Sequence, residues 1–259
     1  MTALTIDRTD VDGAAVVRPT GKLDLTTYRQ LRDELLKCAV DEPTAVIVRL
    51  DAAFECATPA LLSVFAMVWL RVAEWPGIPV MLVAEPAHHR ALTTSSATSV
   101  PRFRTLDTAL AAVERPPECR HDETRLPGTT KSGLLARNFV RAACERWRVT
   151  DLVHNALTVA TELVENAVRH AHSAPLLRLE LRGHRLTIAV CDDSPEPPAE
   201  PEQRGGRPRR SRQSPGEPRK PQSRRPGGWG MSIVASLSRT WGCYPWRRGG
   251  KVVWAILGD

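Results

Sequence analysis

A few residues in this chain have types and spacings that could do chemistry. Glu162 and Asn166 stand four positions apart, a spacing that puts two side chains on one face of an α-helix. The first is a carboxylate able to accept a proton from a hydroxyl or water. The second offers an amide oxygen, a hard neutral ligand suited to Mg²⁺. Asp192 and Ser194 close an apolar run, Val190-Cys191-Asp192-Asp193-Ser194-Pro195. Gly228 and Gly230 flank Trp229 just ahead of the apolar stretch Met231–Leu237. Glycines there let backbone amides approach an anion, with a helix N-terminus behind them. Thr58 places a hydroxyl immediately before Pro59 at the start of another apolar helix. His170 and His172 have no third ligand at metal-binding spacing and read as ordinary residues near a helix end.

The elements that must position these groups are legible from periodicity. In 151–172, Val153, Ala156, Leu157, Ala160, Leu163, Val164, Ala167, Val168 and Ala171 fall on one arc at 100° per residue. Asn155, Thr158, Glu162, Glu165, Asn166 and Arg169 fall on the other. Before it, 132–148 reads as a helix; after it, 176–181 and 185–190 read as a hairpin about Gly183-His184, and 251–257 as a final strand. Residues 1–115 alternate strand and helix. A hairpin about Asp12-Gly13 leads through Gly21-Lys22-Leu23-Asp24 to a helix bearing Leu31, Leu35, Leu36 and Ala39. Strand 44–50, an apolar helix at 58–74, strand 79–84 and a helix at 106–113 follow. The pattern predicts an α/β (α+β) chain. Its domains are 1–115, a polar, proline-bearing linker 116–131, and 132–259.

Composition narrows the class. The chain has 259 residues and a net charge of +7, but 196–227 alone holds nine Arg/Lys against four Glu, leaving +2 for everything else. The basic excess is therefore a property of one Arg/Pro-rich insert and not of a binding face. Too few apolar side chains are present there to offset ordering entropy, so the expectation is a disordered loop. With no aromatic to stack on a base, direct nucleic-acid binding is not expected. Six scattered cysteines without a CxxC pair, and no signal peptide or stretch of ~20 apolar residues, predict reduced thiols in a cytoplasmic protein with no membrane span. The tryptophans Trp229, Trp241, Trp246 and Trp254 read as packing residues of the second domain.

Three motifs in order carry a resemblance. Glu162-Leu-Val-Glu-Asn166-Ala-Val-Arg-His170-Ala resembles the N box of the histidine-kinase/Hsp90-like (GHKL) ATPases. Asp192-Asp193-Ser194 stands where that family has its D-x-G box, and Gly228-Trp229-Gly230-Met231 where it has its G-x-G-L box. More narrowly, the half from about 130 to 259 is similar to the anti-sigma-factor serine kinases of bacterial partner-switching systems. The resemblance implies a GHKL (Bergerat) α/β sandwich with a lid inserted at 196–227. It further implies ATP and Mg²⁺ as cofactors, Asn166 as Mg²⁺ ligand through the phosphates, Glu162 as catalytic base and Asp192 as adenine contact. Ser194, Gly228 and Gly230 complete the nucleotide site.

The N-terminal half resembles a STAS domain, the fold of anti-sigma-factor antagonists, with a mixed sheet and covering helices. Such antagonists carry an Asp-Ser-Ser-Gly phosphoacceptor motif. Here the stretch reads Ala57-Thr58-Pro59-Ala60, so only Thr58 offers a hydroxyl. The expectation is a STAS–kinase fusion that binds Mg·ATP, captures a sigma factor or STAS-type antagonist, and acts as a protein serine/threonine kinase on that partner. The alternative is a non-catalytic, pseudokinase interaction module working through contact between its own STAS and kinase halves. A homodimer is compatible with either.

Overall fold

The computed structural model describes residues 4–93, 95–113, 119–171, 173–198 and 229–258. The chain divides into two compact units, residues 1–118 with 244–247, and residues 119–243 with 248–259.

In the first unit, β1 (Thr5–Val11) and β2 (Ala14–Leu23) form an antiparallel hairpin. Its two-residue turn puts Asp12 at φ 52° and Gly13 at φ 78°. Both are left-handed, as the twist of a tight hairpin demands, and this is why an Asp-Gly pair sits there. β2 then runs parallel to β3 (Val46–Leu50), followed by β5 (Val80–Ala84) and β6 (Arg102–Phe103), giving the order β1-β2-β3-β5-β6. A short β4 (Phe54–Cys56) pairs with the far end of β2 at Gly21–Leu23. Val46, Ile47, Val48 and Leu82 are fully buried, the expected state of parallel strands in a helix-covered sheet. α1 (Tyr28–Val40) buries Leu31, Leu35, Leu36 and Ala39, and α2 (Ser63–Glu74) buries Val64, Phe65, Val68 and Val72. α3 (Pro86–Thr93) and α4 (Leu106–Ala111) complete this unit. The order hairpin, Gly-Lys-Leu-Asp segment, helix, strand, helix is the STAS-like order that the resemblance implied.

The second unit is a five-stranded sheet carrying helices. β7 (Cys119–Arg125), β8 (Leu176–Arg182), β9 (Arg185–Asp192), β10 (Thr240–Pro245) and β11 (Lys251–Leu257) lie in the order β10-β11-β9-β8-β7. α5 (Ser132–Trp147), α6 (Val153–Ala171) and α7 (Gly230–Leu237) contribute to one core with the strands. On α6, Ala156, Ala160, Leu163, Val164 and Ala167 are buried as the periodicity requires, and Val159 joins them.

Within the segment expected as a linker, Cys119–Arg125 is the edge strand β7, paired antiparallel to β8. Backbone hydrogen bonds define it instead of apolar burial, and charged side chains suit an exposed edge. Glu123 sits opposite Arg178 and bonds its guanidinium at 3.2 Å. Trp254 is 1% exposed as expected of a core residue, whereas Trp229 is 61% exposed. Of the insert expected to be disordered at 196–227, residues from 199 onward lie outside the described residues. Among the described residues no helix is long and apolar enough to cross a membrane, and all six cysteines are present as thiols.

Candidate nucleotide site

A cavity of about 270 Å³ opens in the second unit, between the polar face of α6, the start of α7 and the start of β11. That is close to the lower end of small-molecule sites, roughly 300–1,000 Å³. α6 contributes Glu162, Asn166, Arg169 and His170; α7 contributes Gly230; β11 contributes Lys251. The four α6 residues share a face because Asn166, Arg169 and His170 follow Glu162 at helical spacings of four, seven and eight. The opposite face of the helix is buried in the core, so this face must line the cavity.

Glu162 is half-buried, and burial pushes its carboxyl above the ordinary carboxylate range. The neighbouring Glu165 adds to that shift and Arg169 opposes it. A carboxylate raised in this way is better matched to accepting a proton near neutrality. Gly230 is the first residue of α7, and a Cβ placed on it would lie 2.6 Å from Glu162 Oε2. Only a glycine lets the helix start this close to the carboxylate. Because the atom met is the tip of a flexible side chain, Gly230→Ala should leave the melting temperature nearly unchanged. It should displace the Glu162 carboxylate and lower any activity that depends on it; thermal unfolding and turnover measured on the same preparation would check this.

The β9 end is built differently from the rest. Asp192 is 2% and Ser194 8% exposed. The Ser194 amide donates to Asp192 Oδ1 at 2.8 Å, and Ser194 Oγ accepts from the Glu196 amide at 3.3 Å. Ser194 lies outside the left-handed region, so the third position of this box does not need a glycine, and the hydroxyl fixes the following turn. Lys251 is the register partner of Asp192 across the β9–β11 pair. Its ammonium donates to Asp192 Oδ1 at 2.8 Å and to the Ser194 carbonyl at 3.3 Å.

The structure therefore brings Glu162, Asn166 and Gly230 around one cavity. It sets Asp192 and Ser194 behind Lys251, which occupies the lining in their place. Gly228 and His172 lie outside the described residues. Thr58 is exposed in the first unit, just before a short helical turn Pro59–Leu62, and its hydroxyl makes no cap hydrogen bond. Arg169, His170 and Lys251 were not anticipated as site residues. The first two follow Asn166 at three and four residues, a spacing visible in the sequence. Lys251 is signalled only as the one charge in an otherwise apolar strand, Lys251–Leu257.

Residues 129–257 match the family model for the histidine kinase-like ATPase domain, and this part of the chain is such a domain. No curated protein matches the chain. Among solved structures, an anti-sigma factor antagonist from Mycobacterium paratuberculosis is 27% identical over 43% of this chain and 94% of its own, with a TM-score of 0.36. The RsbU and RsbW domains of a Mycobacterium tuberculosis protein are 14% identical over 56% of this chain and 33% of theirs, TM-score 0.35. The antagonist SpoIIAA in its unphosphorylated form is 14% identical over 43% of this chain and 96% of its own, TM-score 0.34.

Proposed function

We propose that residues 129–257 bind a nucleoside triphosphate with Mg²⁺ and transfer its terminal phosphoryl group to a serine or threonine of a STAS-type antagonist. In this reading the chain is a cytoplasmic anti-sigma regulator whose own STAS-like unit helps select the partner. The observation that carries the proposal is the pairing of Glu162 and Asn166 on one face of α6, facing a cavity that Gly230 also lines.

The donor set fits the group. Asn166 would hold the metal through its amide oxygen, and the metal would neutralise charge on the phosphates. Arg169 and His170 add hydrogen-bond donors on the same face of the helix. Glu162 then acts on the acceptor: its carboxylate takes the hydroxyl proton as the hydroxyl oxygen bonds to the terminal phosphorus. The bond from that phosphorus to the bridging oxygen breaks, and the nucleoside diphosphate leaves with the electron pair. Phosphoryl transfer of this kind asks little more of a protein than positioning and charge stabilisation.

The test is incubation of the full chain with γ-labelled triphosphate, Mg²⁺ and purified STAS-type antagonists. Label on a partner serine or threonine, or on Thr58 of the chain itself, supports the reading. Failure to label any partner while triphosphate still binds favours regulation by contact alone. One observation supports that second reading: the Asp192 carboxylate is already engaged by Lys251.

A further inference from the structure

We infer that Glu165, seated against the first turn of α5, is a positioning residue that keeps Glu162 a competent proton acceptor near neutral pH. The inference rests on the reading of Glu162 as the group that takes the hydroxyl proton. It starts from a carboxylate that the cavity does not use. Glu165 stands outside the lining to which Glu162, Asn166, Arg169 and His170 of the same helix contribute. It follows Glu162 by three positions, a spacing that makes two helical side chains neighbours. Like charges so placed repel, and two free side chains would relieve the repulsion by swinging apart. Glu165 is exposed, so solvent alone would not fix its direction.

What holds Glu165 is α5. A Cβ placed on Gly133 would lie 3.1 Å from Glu165 Oε1, so the carboxylate rests against the buried start of that helix. The first turn of α5 has no acidic residue of its own, and its N-cap, Lys131, makes no side-chain capping bond. Backbone N–H groups at a helix start carry partial positive charge and favour an anion beside them. The start of α5 therefore keeps the Glu165 carboxylate ionised and in place. A fixed anion beside Glu162 penalises a second negative charge, and Glu162 holds its proton more tightly. That is the direction in which Glu162 is displaced, with burial the larger cause and Glu165 the next. Arg169 acts in the opposite sense. His170, Lys251 of β11 and Glu196 after β9 also face the cavity, whereas α7 brings only the uncharged Gly230 and Met231. Because Glu165 lies outside the cavity, a ligand that fills it leaves this anion where it is.

The experiment follows the Glu162 carboxyl by carbon NMR across pH in the full chain, the signal being assigned by its loss in Glu162→Gln. Wild type, Glu165→Gln and Gly133→Ala are compared, and the pH profile of phosphoryl transfer is measured beside each. Glu165→Gln keeps the size of the side chain and removes its charge. Gly133→Ala keeps the charge and crowds the carboxylate off its seat, at a helical position where alanine is favoured over glycine. The expected result is that both variants move the Glu162 titration, and with it the acid limb of the profile, to lower pH. Nucleotide affinity should stay within about threefold. Glu165→Asp, which retains the charge, should restore most of the wild-type position. A Glu162 titration unmoved by Glu165→Gln would overturn the inference, even if that variant lowered the maximal rate or the melting temperature. If the titration moves but no form of the chain transfers a phosphoryl group, the placement of Glu165 stands and the reading of Glu162 as proton acceptor falls.

Discussion

Glu162→Gln in the full chain should lower phosphoryl transfer by ~10²–10⁴-fold, the usual contribution of a positioned general base. Nucleotide affinity should stay within about threefold, because an interaction made only in the transition state leaves ground-state binding intact. The amide keeps the shape of the carboxylate and its place beside Gly230 while removing proton affinity. The pH profile supplies a second readout. Burial and Glu165 raise the carboxyl of Glu162, and transfer needs the ionised form. The wild-type rate should therefore climb with pH through a value above the ordinary carboxylate range, and this limb should vanish in Glu162→Gln. A variant that transfers as fast as wild type would remove Glu162 from the chemistry.

Asp192→Ala should be the most destabilising single change at the site. It leaves the Lys251 ammonium, whose side chain is 4% exposed, without its carboxylate at 2.8 Å. Breaking a buried ion pair from one side typically costs ~3–5 kcal/mol. For a domain of this size that corresponds to a fall in melting temperature of roughly 10–20 °C. The same physics gives a control. Replacing both partners by apolar residues of similar size, as in Asp192→Leu with Lys251→Met, should recover most of the loss, since the desolvation penalty of both charges disappears together. Thermal or denaturant unfolding of the two variants beside wild type measures this directly. An unchanged melting temperature in Asp192→Ala would mean that the pair is solvated and contributes little.

The two halves of the site differ in how far the sequence exposes them, and the reason is physical. A helix face repeats every 3.6 residues, so Glu162, Asn166, Arg169 and His170 can be placed together from spacing alone. The core arc opposite them, including Leu163 and Val164, is likewise visible as a stripe. Pairing between strands is different, because register depends on which strands meet. Nothing in Lys251-Val-Val-Trp says that the lysine faces Asp192, 59 residues earlier in the chain. The same limit hides β7, whose polar sequence lacks an apolar face and whose existence depends on hydrogen bonds to β8. It also hides β4 and β6, three and two residues long, too short to show a period. Trp229 fails in the other direction: its size suggests a core residue, but its place just before the first residue of α7 leaves it exposed.

The central claim is that the face of α6 bearing Glu162 and Asn166 holds a magnesium-bound triphosphate. Calorimetric titration of the full chain with a non-hydrolysable guanine and a non-hydrolysable adenine triphosphate, each with and without Mg²⁺, tests it most directly. The account predicts saturable binding of at least one of them that strengthens markedly with Mg²⁺, with the Mg²⁺ dependence abolished in Asn166→Ala. Absence of binding at millimolar nucleotide, or binding indifferent to both Mg²⁺ and Asn166, would contradict it.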